Sequence, residues 1–255
     1  MPERTAYAPG TPSWVDIGTD LDGAIPFSTG LFGWAAESAG EEAGGYGIFM
    51  KDGKSIAGYG PQQNPGPPVW SSSVTVADLE AAAAAVTAAG GTVLVPPMDV
   101  MTAGRMAVCI DPQGGFFSLW EARDHIGSEI VNEPGAFCWS EIQSRDIEGS
   151  KAFYGTVFGW EAVTHEIGPP MGSYTEFSLG GETIAGGMPM PPMVPAEVPT
   201  YWLVYFAVED CEESVARATE LGATVLVPPM DVQAGRFSVL MDPQGGTFAI
   251  IRLAP

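Results

Sequence analysis

The sequence predicts an α+β fold built as two tandem copies of one unit, each a series of short strands interrupted by two helices. Three observations carry this. The nine residues TVLVPPMDV stand at 92–100 and again at 224–232. In both places A-G-R follows (103–105 and 234–236), and then D-P-Q-G-G (111–115 and 242–246). Upstream, LFGW ending at Trp34 matches VFGW ending at Trp160. The offsets are 132, 131 and 126 residues and the matches keep their order. Collinear self-similarity of this kind marks a duplicated structural unit. The copies are assigned to residues 8–122 and 136–255, joined by the polar link 123–135.

The elements follow in the same order in each copy. A strand opens the unit at 14–17 and at 139–142. Asp146 stands where an N-cap starts a helix over 147–157. Its counterpart behind Asp20 carries Gly23 and Pro26 and reads as weaker, since proline is tolerated in a helix only near its first turn. Two strands around tight glycine turns come next, at 46–50 and 55–59 around Gly53, and at 174–179 and 183–187 around Gly180 and Gly181. Proline-rich crossings at 61–68 and 189–199 stiffen the passage to the second half. There a strand at 69–76 or 202–208 leads to a helix at 79–89 or 212–221. Asp78 or Asp210 caps that helix, and Gly90 or Gly222 stops it. Three strands close the unit, at 92–95, 106–110 and 116–120, mirrored at 224–227, 237–241 and 247–252. DPQGG is the last hairpin turn. The unit reads βαββ–βαβββ.

Composition narrows the function classes. Ten basic against 31 acidic residues give a net charge of −21. Such a field repels phosphate backbones and anionic surfaces, so no nucleic-acid or membrane partner is expected. The acid reads as a solubilising surface, with attraction of a cationic ligand as the alternative. No apolar run reaches the 18 residues a span needs, and the N-terminus lacks the basic and apolar regions of a signal peptide. The expectation is a soluble, cytoplasmic protein, monomeric or homodimeric, whose partner is a small molecule. Cys109, Cys138 and Cys211 are isolated, which fits a reducing compartment and a packing role. A nucleophilic cysteine would need a histidine beside it, and only His125 and His165 exist.

The run Asp146-Ile147-Glu148-Gly149-Ser150-Lys151-Ala152-Phe153-Tyr154-Gly155-Thr156-Val157-Phe158-Gly159-Trp160 resembles the opening of the glyoxalase, bleomycin-resistance and extradiol-dioxygenase superfamily, also called vicinal oxygen chelate. The closing pattern, P-P-x-D, then G-R, then D-P-x-G, is similar to that superfamily twice over. The resemblance covers nearly the whole chain. It is strongest to two-domain actinobacterial glyoxalase-like proteins that carry a hydroxylase label. It implies tandem domains, each of paired βαβββ modules forming half-barrel clefts. In metal-dependent members, ligands of His, Glu or Gln type stand on the first strand, on the strand after the crossing and on the final strand. The matching positions here are Trp14 with Asp16, Ser71 and Ser118 in copy one, and Trp139 with Glu141, Leu203 and Ala249 in copy two. One carboxylate per copy is too few for a catalytic metal that wants three protein ligands. No metal and no other cofactor is expected.

Residues i and i+2 share a strand face, so Trp14 with Asp16, and Trp139 with Glu141 and Gln143, are expected to line clefts. Ser71, Leu203 and Tyr205 join them, with Trp70 and Trp202 as weaker candidates in case the strand register is off by one. For each tryptophan the competing reading is core packing; Trp34 and Trp160 look structural. A tryptophan floor suits a flat aromatic ligand. Asp16 and Glu141 are the candidate catalytic groups, because a desolvated carboxylate has a raised pKa and can act as acid or base near neutrality. The alternative is a carboxylate satisfied by backbone donors or by Arg105 or Arg236. Those arginines could instead hold Asp99 and Asp231, or bind a ligand carboxylate or phenolate. Met98, Met101, Met230 and the run 188–193 line a cleft mouth or pack loops. Two rival functions follow. One is a metal-independent enzyme moving a proton in an aromatic or polyketide-like metabolite of secondary metabolism. The other is a protein that binds or sequesters such a molecule, as drug-resistance members do. A metal-dependent lyase or dioxygenase is the third and weakest. The cleft positions differ between copies, so one working cleft and one supporting partner is expected.

Overall fold

The computed structural model describes residues 3–63, 66–168, 172–192 and 194–254. The first copy contains β1 (Pro12–Thr19), α1 (Leu21–Phe32), β2 (Ala35–Ser38), β3 (Gly47–Lys51), β4 (Lys54–Pro61), β5 (Val69–Thr75), α2 (Leu79–Ala88), β6 (Thr92–Val100), β7 (Gly104–Ile110) and β8 (Phe116–Ala122). The second contains β9 (Phe137–Ser144), α3 (Ile147–Phe158), β10 (Glu161–Gly168), β11 (Gly172–Leu179), β12 (Glu182–Pro189), β13 (Tyr201–Ala207), α4 (Cys211–Glu220), β14 (Thr224–Val232), β15 (Gly235–Met241) and β16 (Thr247–Leu253). Each copy makes one eight-stranded mixed sheet, ordered β2-β3-β4-β1-β5-β8-β7-β6 and β10-β11-β12-β9-β13-β16-β15-β14. The opening strands of the two half-units pair antiparallel at the centre, and each also pairs parallel with the closing strand of its own half. This is the tandem α+β architecture the repeat predicts.

The local reasons are legible. Asp78, Asp146 and Asp210 each accept a backbone N–H of the first helical turn. Three elements differ from expectation. Helix α1 runs its full twelve residues despite Pro26. Pro26 and Asp22, four residues before it, are both exposed, so the carbonyl that loses its intrahelical donor lies where water can reach it. Strands β2 and β10 were not expected. Both are edges with mostly exposed side chains, so no alternating apolar pattern announces them. The P-P-M-D-V segment, expected as a loop, continues β6 and β14 instead. Both are edge strands whose registers slip around the prolines, and an edge tolerates a residue that cannot donate.

The two sheets pack through their helix-bearing faces, with the halves crossed. One core joins Phe27, Trp34 and Phe49 of the first copy to Phe206, Leu240 and Phe248 of the second. The other joins Leu79, Val86 and Phe117 to Phe153, Trp160 and Phe177. The repeated motifs stitch this interface. Trp34 Nε1 donates to the Gly135 carbonyl and Trp160 Nε1 to the Gly10 carbonyl, each at 2.7 Å. Tyr154 Oη donates to Asp111 of the D-P-Q-G-G turn at 2.8 Å, and Ser72 and Ser140 meet at 2.7 Å between the sheet centres. FGW and DPQGG are therefore structural, and the opposite, helix-free face of each sheet is left for function.

Candidate functional site

On β1, Val15 and Ile17 enter the crossed core, so Trp14 and Asp16 point to the helix-free face. On β9, Ile142 enters the core and Trp139, Glu141 and Gln143 take the other face. In each copy a tyrosine completes the group. Trp14 Nε1 donates to Tyr46 Oη at 2.9 Å, and Tyr46 donates to Asp16 Oδ2 at 3.3 Å. Trp139 Nε1 donates to Tyr174 Oη at 2.9 Å, and Tyr174 bonds Glu141. The indole N–H has no acceptor role, so it orients the phenol to donate onward to the carboxylate. A glycine on the neighbouring strand makes room for the ring: a Cβ at Gly58 or Gly186 would lie 2.0 Å from the tyrosine hydroxyl. Tyr46 and Tyr174 were missed by sequence reasoning. Their signal was present as matched positions ahead of the S-I-A-G and T-I-A-G strands.

Burial sets the electrostatics. Desolvation lifts Asp16 from 3.8 to about 6 against the lowering effect of Tyr46. Glu141 rises from 4.5 to about 7 for the same reason, despite bonds from Tyr174, Tyr205 and Gln143. The tyrosines are pushed well above their usual range by burial and the adjacent carboxylate. They therefore remain neutral donors.

A glyoxalase-like domain family matches residues 139–251. A Mycobacterium tuberculosis protein named CFP32, described provisionally as a glyoxylase, is 38% identical over 100% of this chain and 99% of its own. The chain belongs to the glyoxalase-like family. The anthracycline biosynthesis protein DnrV of Streptomyces peucetius is 35% identical over 98% of this chain and 95% of its own. Among solved structures, the Mn(II)-bound glyoxalase of Novosphingobium aromaticivorans matches with a TM-score of 0.68 at 17% identity, covering 95% of this chain and 82% of that one. The 2,3-dioxygenase LapB of Pseudomonas sp. KL28 matches with a TM-score of 0.67 at 15% identity, covering 96% and 92%. These establish the vicinal-oxygen-chelate fold.

Within this glyoxalase-like chain, the expected site residues divide by face. Trp14, Asp16, Ser71, Ser118, Trp139, Glu141, Gln143, Leu203 and Tyr205 lie on the helix-free faces. Asp16 is opposite Ser71, and Glu141 is opposite Leu203. Trp70 and Trp202 do not. They are 4% exposed within the crossed cores, against Phe206 and Tyr154 respectively, and the ligand-binding expectation for them is corrected. Arg105 and Arg236 take the ion-pairing alternative, with Arg105 3.6 Å from Asp99 and Arg236 2.9 Å from Asp231. Arg105 also grips both oxygens of Glu80 at 2.5 and 2.9 Å on the helix side, and Arg236 also holds Glu212 at 2.5 Å. Of the methionines, Met188 and Met190 are buried and Met98 and Met101 exposed; Met193 lies outside the described residues. His125, read as a linker residue, was missed: its ring meets Trp14 edge to face at 4.4 Å and lies 5.8 Å from Trp120. Burial pushes Cys109 up to about 12, so it stays a thiol.

The fold family suggests a divalent metal, and the donor set does not fit one. The equivalent positions present one carboxylate with two serines in the first copy, and one with Leu203 and Ala249 in the second. Among the described residues no three His, Cys, Asp or Glu groups converge. No helix there is long and apolar enough to cross a membrane.

Proposed function

We propose that this protein binds a planar aromatic metabolite of the polyketide type on the helix-free face of its first sheet. Asp16 then takes a proton from that metabolite as general base, with no metal in the step. The observation that carries this is the Trp14–Tyr46–Asp16 group: a hydrogen-bonded indole and phenol beside a carboxylate whose pKa, about 6, suits proton transfer near neutrality. Tyr46 donates to Asp16 and so favours its ionised, base-competent form. The two anthracycline biosynthesis relatives, DnrV and DauV, support an aromatic polyketide as the ligand class.

Native mass spectrometry of protein taken from its host identifies a retained ligand, and incubation with that compound reads turnover. Turnover is expected to rise with pH through about 6, as Asp16 ionises. Asp16→Asn is expected to cut it roughly a hundredfold or more while the ligand still binds. If the ligand is retained unchanged at every pH by both proteins, the protein sequesters its ligand and the catalytic reading is wrong.

A further inference from the structure

The two copies build the same Trp–Tyr–carboxylate group but complete it differently. Glu141 receives three side-chain donors from its own chain: Tyr174, the Tyr205 hydroxyl at 3.2 Å from Oε1, and the Gln143 amide on the same oxygen. Asp16 receives one among the described residues, from Tyr46. The sheet register locates what the first copy lacks. Ser73 stands between Trp14 and Ser118 as Tyr205 stands between Trp139 and Ala249. Gly18 stands two residues beyond Asp16 as Gln143 does beyond Glu141. The second carboxylate is sealed, with Glu141 4% and Leu203 2% exposed, whereas Asp16 and the facing Ser71, though mostly buried, keep part of their surface exposed.

We infer that the first copy's face takes a hydroxyaryl ligand whose phenolic O–H donates to Asp16, in the role Tyr205 plays for Glu141, and that the second copy's face is occupied by its own side chains. This rests on the aromatic-ligand reading above and names the group recognised. Tyr205 is in effect a tethered phenol, packed beside Phe237 at 6.2 Å with its hydroxyl on the buried carboxylate. An ionised acceptor with unused lone pairs gains most from a hydroxyl donor, because charge-assisted hydrogen bonds are about twice as strong as neutral ones. The rings of Trp14, Trp120 and His125 cluster on the same side of the first sheet and favour an aromatic hydroxyl over an aliphatic one. His125 Nε2 is buried without a hydrogen-bond partner among the described residues, which leaves a second polar contact for the ligand.

The test titrates 2-naphthol and 2-methoxynaphthalene into the full chain by calorimetry, with tryptophan fluorescence in parallel. The methyl ether keeps the flat ring and removes the donor. Expected are one site per chain and at least tenfold tighter binding of the naphthol. That preference should vanish in Asp16→Asn and persist in Glu141→Gln. Ser73→Tyr, which copies the second copy's plug, should abolish the site at unchanged near-ultraviolet circular dichroism. Tyr205→Ser should add a second site. Equal affinity for the two probes, with loss of both in Ser73→Tyr, overturns the donor assignment and leaves aromatic binding standing. A preference that survives Asp16→Asn and disappears in Glu141→Gln overturns the choice of copy. If neither probe binds the wild-type chain, the aromatic-ligand reading fails and this inference falls with it.

Discussion

Glu141 shows what a single buried carboxylate does to the protein that holds it. Its pKa is raised from 4.5 to about 7 by desolvation, so the folded state binds its proton more tightly than the unfolded state. The associated stability is fully present below about pH 4.5 and is lost as pH rises through about 7. At one pKa unit per ~1.4 kcal/mol, the span is about 3 kcal/mol. Glu141→Gln keeps the shape and removes the titration. The variant is therefore expected to gain on wild type by about 3 kcal/mol between pH 4.5 and pH 8, measured as the difference of two urea-unfolding series. Comparing the variant with wild type at each pH cancels the other acidic groups of this −21 chain. Parallel stability curves would show that the carboxylate ionises without cost in the folded protein.

At the scale of an element, β4 and β12 work by what they omit. Gly58 and Gly186 let a tyrosine, Tyr46 just before β3 or Tyr174 on β11, lie across the sheet and reach the carboxylate, at the weakening that glycine brings to a strand. Gly58→Ala places a methyl 2.0 Å from Tyr46 Oη and 2.9 Å from Asp16 Cβ. The expected result is displacement of the ring, loss of the Tyr46 donor to Asp16 and a further rise of its pKa, with the fold retained. A pH-titration of the Asp16 carboxyl carbon by NMR reads this directly; an unchanged midpoint would mean that Tyr46 does not tune Asp16. The sequence made most of this scale legible. Caps at Asp78, Asp146 and Asp210 stand where their residue types put them, and the i, i+2 rule correctly paired Trp14 with Asp16 and Trp139 with Glu141. Tyr46 and Tyr174 escaped because their partners are 30 to 35 residues away, and only strand pairing brings them together. Trp70 and Trp202 misled for the opposite reason: alternation places them one step from the site residues, on the face that the other copy covers.

At the scale of the molecule, the crossing of halves decides what can fold. The repeat showed two units in the sequence, yet each core draws its side chains from both. Leu79, Val86 and Phe117 of the first copy close over Tyr154, Trp160 and Trp202 of the second, and the Trp160 indole donates to the Gly10 carbonyl of the first. A single copy would expose that apolar face to water and lose the hydrogen bonds made across it, such as Trp160 Nε1 to the Gly10 carbonyl. Residues 136–254 expressed alone are therefore expected either to stay unfolded or to pair as a dimer, with a second copy standing in for the missing half. The full chain is expected to melt in one transition. Sedimentation and near-ultraviolet circular dichroism of the excised piece decide the matter. A folded monomer would show that the crossed cores are dispensable. A dimer would show that the two-fold arrangement is intrinsic to the unit and that fusion into one chain freed each face to diverge. Asp16 would then have remained open to a ligand while Tyr205 closed over Glu141.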